Sequence, residues 1–148
     1  MKKILIQILL SVFCGILWSS ICHYRPTESA INTLYSVSAI LFSVGISLVV
    51  TIIPNGIKNK GYVKRIKGTL DRVRNCFFIE FSIITVLHLF LLDHNSWPTY
   101  PFELFACHVI LDPITVETFL ICFSFIYYSF NFLELQKLNR DIFDASNE

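Results

Sequence analysis

The sequence predicts an all-α membrane protein: a four-transmembrane-helix bundle, N and C termini cytoplasmic, with a basic amphipathic helix between spans two and three. Three observations carry this reading. The 148 residues are 54% hydrophobic and 16% charged, with a mean hydropathy of +0.60, whereas globular domains carry about 25% charged residues. The shortage is local. Residues 4–22 and 29–53 hold no charge, residues 75–92 hold only Glu80 and His88, and residues 114–133 hold only Glu117. Each stretch supplies the roughly 18–20 residues that cross about 30 Å of hydrocarbon. Finally, the basic residues are one-sided. Lys2 and Lys3 precede the first span, Lys58 to Arg74 lie between the second and third, and Lys137 and Arg140 follow the fourth. Only Arg25 falls on the other side. The positive-inside bias makes the basic side cytoplasmic.

Span one, residues 4–22, follows Lys2-Lys3 as the core of a signal peptide would. The run is long for that role, and no clean small-x-small site follows it, so it reads as a retained span. Ser11, Gly15 and Ser19 recur every four residues, and Gln7 extends the same seam. Span two, residues 29–53, repeats the pattern with Ala39, Ser43 and Ser47. Small residues at this spacing let helix backbones approach closely in lipid. The loop from His23 to Glu28 is short, so spans one and two are expected to pair as an antiparallel hairpin along these seams. Whether they pack within one chain or between chains stays open.

Pro54-Asn55-Gly56 ends span two, and the connector 54–74 follows. Its basic residues are Lys58, Lys60, Lys64, Arg65, Lys67, Arg72 and Arg74. Val63, Ile66, Leu70, Val73 and Phe77 recur at heptad spacing, which predicts an amphipathic helix running straight into span three. Three uses of this helix remain open: contact with anionic lipid headgroups, a coiled-coil contact between subunits, or a docking platform for an acidic soluble partner or nucleic acid. Sequence-specific nucleic-acid binding is not expected, because Tyr62 is the sole aromatic among these charges.

Span three, residues 75–92, leads into an outer aromatic loop, 93–112, with Trp97, Tyr100, Phe102 and Phe105 among Pro98 and Pro101. Such a loop is expected to lie in the membrane interface, with 103–111 as a short helix or a turn-rich cap. Asp112-Pro113 is a helix start. In span four, residues 114–133, Glu117, Ser124 and Asn131 make a polar seam at steps of seven, and the tail 134–148 completes a single membrane domain.

Ionisable groups within spans are the functional candidates, because hydrocarbon penalises them. Glu80 lies near the cytoplasmic end of span three, where it reads as a snorkelling acid or as a partner of Arg72 or Arg74. His88 and Glu117 lie at matched depth near the outer boundary of antiparallel spans, so we expect contact between them. The pair then serves either as a structural clasp or as a proton- or voltage-responsive latch. No catalytic, nucleotide-binding or metal-binding motif is present, so neither an enzyme nor a cofactor is expected. The five cysteines, Cys14, Cys22, Cys76, Cys107 and Cys122, show no C-x-x-C spacing. Cys22 and Cys107 share the outer side, as a bridge or as two free thiols.

The uncharged LYSVSAILFSVGISLVVTI of span two, the basic helix joining spans two and three, and the absence of catalytic motifs are the features of a resemblance. Together they resemble the small membrane components of bacterial anti-phage defence systems, the four-span membrane subunit of the Kiwa type first, and retron- or nucleotide-activated transmembrane effectors next. The resemblance implies a multi-pass protein of the bacterial inner membrane that oligomerises, senses phage-induced perturbation and docks a soluble cytoplasmic effector. The alternative it leaves is an oligomeric pore-forming effector that depolarises the membrane. A pore requires a helix face polar along its length, and span four comes nearest to one.

Overall fold

The computed structural model describes residues 2–22, 24–54, 60–92, 96–104 and 107–147. Four helices are long and apolar enough to cross a membrane. They are α1 (Lys2–Cys22), α2 (Glu28–Thr51), α3 (Lys60–Phe90) and α4 (Pro113–Asn147), with a hairpin of β1 (Tyr100–Leu104) and β2 (Cys107–Leu111) before α4. Large apolar side chains such as Leu5, Leu9, Phe13, Val86, Leu89 and Phe130 are exposed along the outside. In water such surfaces would drive association; against lipid tails they cost nothing.

The helix ends follow local chemistry. Thr27 caps α2 by accepting from Ala30 N at 3.3 Å, and Glu28 in the first turn suits the helix dipole. Asp112 caps α4: Oδ1 accepts from Ile114 N at 3.2 Å, and Oδ2 from Thr115 Oγ1 at 2.8 Å. Pro113 then occupies the first helical position. α3 joins the basic segment from Lys60 to the apolar one without a break, and α4 likewise carries the tail as far as Asn147.

α4 is the axis of the bundle. α1 packs on α4 and β2, and α2 packs on α4 and α3. The expected α1–α2 hairpin is therefore corrected: a short linker joins the two helices, but each spends its main contacts on α4. The interior has three levels. Near the hairpin, Ile31, Ile84, Leu91, Ile114, Leu120 and Ile121 form an aliphatic cluster. An aromatic layer follows, in which Phe42 stacks on Phe81 (4.2 Å between centroids) and Tyr128 meets Phe77 edge-on at 5.0 Å. Near the basic end, Val49, Ile52, Ile66, Leu70, Leu135 and Ile142 form the second aliphatic cluster.

The stripe of α3 expected to serve lipid, subunits or a partner is largely used inside the chain. Ile66 and Leu70 are buried against Leu135 and Ile142 of α4, with Tyr62, Val73 and Leu138 alongside. The coiled-coil contact between subunits thus loses its apolar seam. The outer segment departs further from expectation. Residues 103–104 and 107–111, expected in a short helix or a turn-rich cap, lie instead in two antiparallel strands, pairing Tyr100 with Leu111 and Leu104 with Cys107. An isolated two-stranded hairpin is marginal in water. This one leans on α1, where Ser20 Oγ accepts from Ile110 N at 3.0 Å.

Candidate functional site

Three clusters of interior polar groups lie along α3 and α4. At the hairpin end, Arg25 Nε lies 3.6 Å from Asp112 Oδ2, and its Nη2 donates to Trp97 O at 3.0 Å. One guanidinium thus ties the α1–α2 linker to the segment before β1 and to the cap of α4. The sequence shows Arg25 only as the lone basic residue on its side. Its pairing with Asp112 rests on a fold contact that has no local signal.

One turn deeper, the structure brings His88 and Glu117 together, with Nδ1 2.7 Å from Oε1. Both are buried, Glu117 at 2% exposure. Tyr35 of α2 stacks on the imidazole (4.2 Å, 15°), and its hydroxyl lies 3.0 Å from Thr85 Oγ1. The pair is thereby held from three helices. Beside it is a cavity of about 10 Å³ lined by Glu28, Asn32, His88, Leu91, Leu92 and Glu117 among others, near the least volume that holds one water. Two acids, an amide and an imidazole around such a space can hold and pass a proton, or simply bind the helices.

Glu80 forms the third cluster. It is buried at 3% exposure, and Gln7 of α1 donates from Nε2 to its Oε1. The same amide nitrogen donates to Ser124 Oγ of α4 at 3.3 Å. Glu80 therefore neither snorkels nor pairs with Arg72 or Arg74; Arg74 instead meets Asp71 at 3.1 Å. The reason is angular. Glu80 shares the inward face of α3 with Phe77 and Ile84, both buried, whereas Arg72 and Arg74 point outward. The signal available in the sequence was Gln7, an amide inside an otherwise apolar run.

The polar seam of α4 splits accordingly. Glu117 and Ser124 are buried, and Asn131 donates to its own helix at Tyr127 O, 2.8 Å away. Glu117 and Ser124 thus face the interior of the bundle, and Asn131 is half-buried.

The small-residue seams diverge as well. Ser11 and Ser19 are 1% and 4% exposed, Gly15 is buried, and all three lie on α1. A Cβ at Gly15 would stand 2.9 Å from Val116 Cα, so only glycine permits this approach to α4. On α2 the buried positions are Ile31, Ser38, Gly45 and Val49, with the Phe77 ring seated over Gly45. Ala39 is half-buried, and Ser43 and Ser47 are exposed. The Ala39, Ser43 and Ser47 seam is thus corrected: it does not pair with α1, and Ser43 and Ser47 face outward. It belongs to a longer exposed stripe of Ser29, Thr33, Ser36, Ser43, Ser47 and Thr51, broken by Ile40. Thr33, Ser36 and Ser43 donate to carbonyls one turn back, at 2.7, 2.7 and 2.9 Å.

On the basic end, Lys60, Lys64, Arg65, Lys67, Arg72 and Arg74 are all exposed. Lys58 lies outside the described residues, as does the side chain of Cys107, while Cys22 is an exposed free thiol. Among the described residues no group of three His, Cys, Asp or Glu could hold a metal ion. Comparison with protein-family models, with curated proteins and with solved structures finds no match.

Proposed function

We propose that the chain is a non-enzymatic, multi-pass scaffold of a bacterial inner membrane that oligomerises and holds a soluble partner on its basic arm. One observation carries this reading. The apolar stripe of the arm is buried against α4, while Lys60, Lys64, Arg65, Lys67, Arg72 and Arg74 stay exposed on a helix continuous with the membrane segment. Orientation alone needs fewer positive charges than this. A rigid basic face suits an acidic protein surface, and the positive-inside bias supports a cytoplasmic position for it. The resemblance to anti-phage membrane subunits supports envelope perturbation as the trigger. It would be felt at the hairpin end and passed along α3 and α4.

The test is mild-detergent purification of the tagged chain with native mass measurement. The wild type is expected as an oligomer carrying a soluble protein. The triple variant Lys60→Glu, Lys64→Glu, Lys67→Glu is expected to keep the oligomer and lose that protein. A wild-type monomer without a partner would reject the scaffold.

The second reading, an oligomeric pore, is favoured by the Ser/Thr stripe of α2. It runs the length of a 24-residue helix, with Glu28 and Asn32 at its hairpin end. Carboxylates at a pore mouth select cations. Loss of a potential-sensitive dye signal on expression of the chain alone would support the pore, and a silent membrane would support the scaffold.

A further inference from the structure

Two buried acids occupy the bundle, and they are treated differently. Glu117 has the His88 imidazole at 2.7 Å. Glu80 has no Lys, Arg or His paired with it among the described residues. Its Oε1 accepts from Gln7, but its Oε2 is buried without a hydrogen-bond partner. The hydroxyl of Tyr128, one turn beyond Ser124 on α4, is likewise buried and unpartnered, in a side chain 1% exposed. Tyr128 is carried to this level by its ring contact with Phe77, which precedes Glu80 by three residues on the same face of α3. Two orphaned oxygens at one level of the bundle, one of them on a carboxyl group, mark a place for something more.

What faces Glu80 narrows the choice. α4 brings Ser124, Tyr127 and Tyr128; α3 itself brings Cys76, one turn away; α1 brings the neutral Gln7 amide; and α2 brings the Phe42 ring, 6.2 Å from Tyr128. None of these side chains is a cation. A carboxylate in such surroundings needs a positive charge to remain buried. The donors on offer are hard oxygens, and a single acid balances one charge rather than two.

We propose that Glu80, with Gln7, Ser124 and Tyr128, forms a buried site for one small monovalent cation, H⁺ or Na⁺. A proton needs only the free oxygen of Glu80. Sodium uses that oxygen together with the hydroxyl oxygens of Ser124 and Tyr128, while Gln7 holds the carboxylate in place. An apolar groove of about 580 Å³ lies between α1 and α3, with Ile8, Ser11, Ser82 and Ile83 in its wall. Ile8 is the neighbour of Gln7.

Dicyclohexylcarbodiimide, which partitions into lipid and adds to protonated carboxyl groups, reads this site directly. The full-length protein in detergent is treated in sodium-free choline buffer from about pH 5 to about pH 9, and the adduct is located by fragment mass spectrometry. The adduct is expected on Glu80, absent from Glu80→Gln and retained in Glu117→Gln. Labelling that ignores sodium and falls about tenfold per pH unit above its midpoint identifies H⁺ as the occupant. Labelling suppressed when sodium replaces choline identifies Na⁺. In that case sodium also raises the melting temperature of the wild type but not of Glu80→Gln. A Glu80 that stays unlabelled across the range, in a protein whose melting temperature is indifferent to sodium, overturns the site.

Discussion

α1 and α2 carry the same sequence signal and use it in opposite ways. Ser11, Gly15 and Ser19 are packed against α4, whereas Ser43 and Ser47, at the same spacing on α2, face outward. Small residues every four positions license close approach without naming a partner. What decides is the rest of each helix. α1 has large apolar residues over most of its other faces, and its small seam is where the backbone of α4 fits closely. α2 has a second seam, Ile31, Ser38, Gly45 and Val49, and it is better furnished. Gly45 accepts the Phe77 ring, while Tyr35 beside the seam stacks on His88 and meets Thr85. The aromatic seam wins the interior, and the serine seam is left outside.

The largest test separates α3 from α4, the two helices on which α2 rests. α1 is anchored on α4 and β2, with the Gln7–Glu80 bond reaching α3, and α2 on α4 and α3, so separating α3 from α4 is expected to loosen α2 more than α1. Glu117→Ala leaves His88 buried without its acid, and breaking a buried pair costs about 3–5 kcal/mol. Detergent unfolding of the single and double variants with His88→Ala is expected to give a coupling energy above about 1 kcal/mol. Thiol labelling supplies the geometry, since Cys76 on α3 and Cys14 on α1 are both half-buried. Cys76 is expected to gain more reactivity than Cys14. Equal gains at both would mean that α1 depends on α3 as much as α2 does.

A smaller effect is expected at Gly15, where the contact itself is tested. A Cβ there meets the backbone of Val116 at 2.9 Å, and backbone does not yield as a side-chain tip does. Gly15→Leu overpacks this seam, at a cost of about 1–3 kcal/mol. The loss is expected to come with higher reactivity at Cys14. Ser20, whose hydroxyl accepts from Ile110 N, also moves with α1, so amide exchange in the hairpin is expected to quicken. An unchanged hairpin would show that its two strands hold together without α1.

The outline of this arrangement was legible and its interior only partly so. Charge-free runs of membrane length locate four helices, because the hydrocarbon requirement is strictly local and one-dimensional. Depth was legible too: His88 and Glu117, each a few residues from the hairpin end, stand 2.7 Å apart. Angle was not. Proximity along α3 points Glu80 to interfacial water or to Arg72 or Arg74, yet its inward azimuth gives it to Gln7, which lies 73 positions away in the chain. The hairpin was missed for a related reason. Its strands are five residues each, interrupted by Pro101, and they find support only through docking on α1. Local pattern cannot announce a contact of that kind.

The smallest expected effect is the one that most sharpens the contrast between α1 and α2. Ser43→Leu and Ser47→Leu replace exposed hydroxyls on a helix with apolar chains, and Ser43 already satisfies itself at Ala39 O. No hydrogen bond to another helix among the described residues is lost, so stability of the isolated chain is expected to stay within about 0.5 kcal/mol of wild type. Gly15→Leu at the equivalent seam of α1 should exceed that several-fold. If copies of the chain meet through the outward stripe, the same serine variants lower the oligomer fraction seen by native mass measurement while leaving the subunit intact. Leucines that destabilise the subunit itself would mean that the stripe has an intramolecular partner. An oligomer that survives both would move the contact between copies to another face of the bundle.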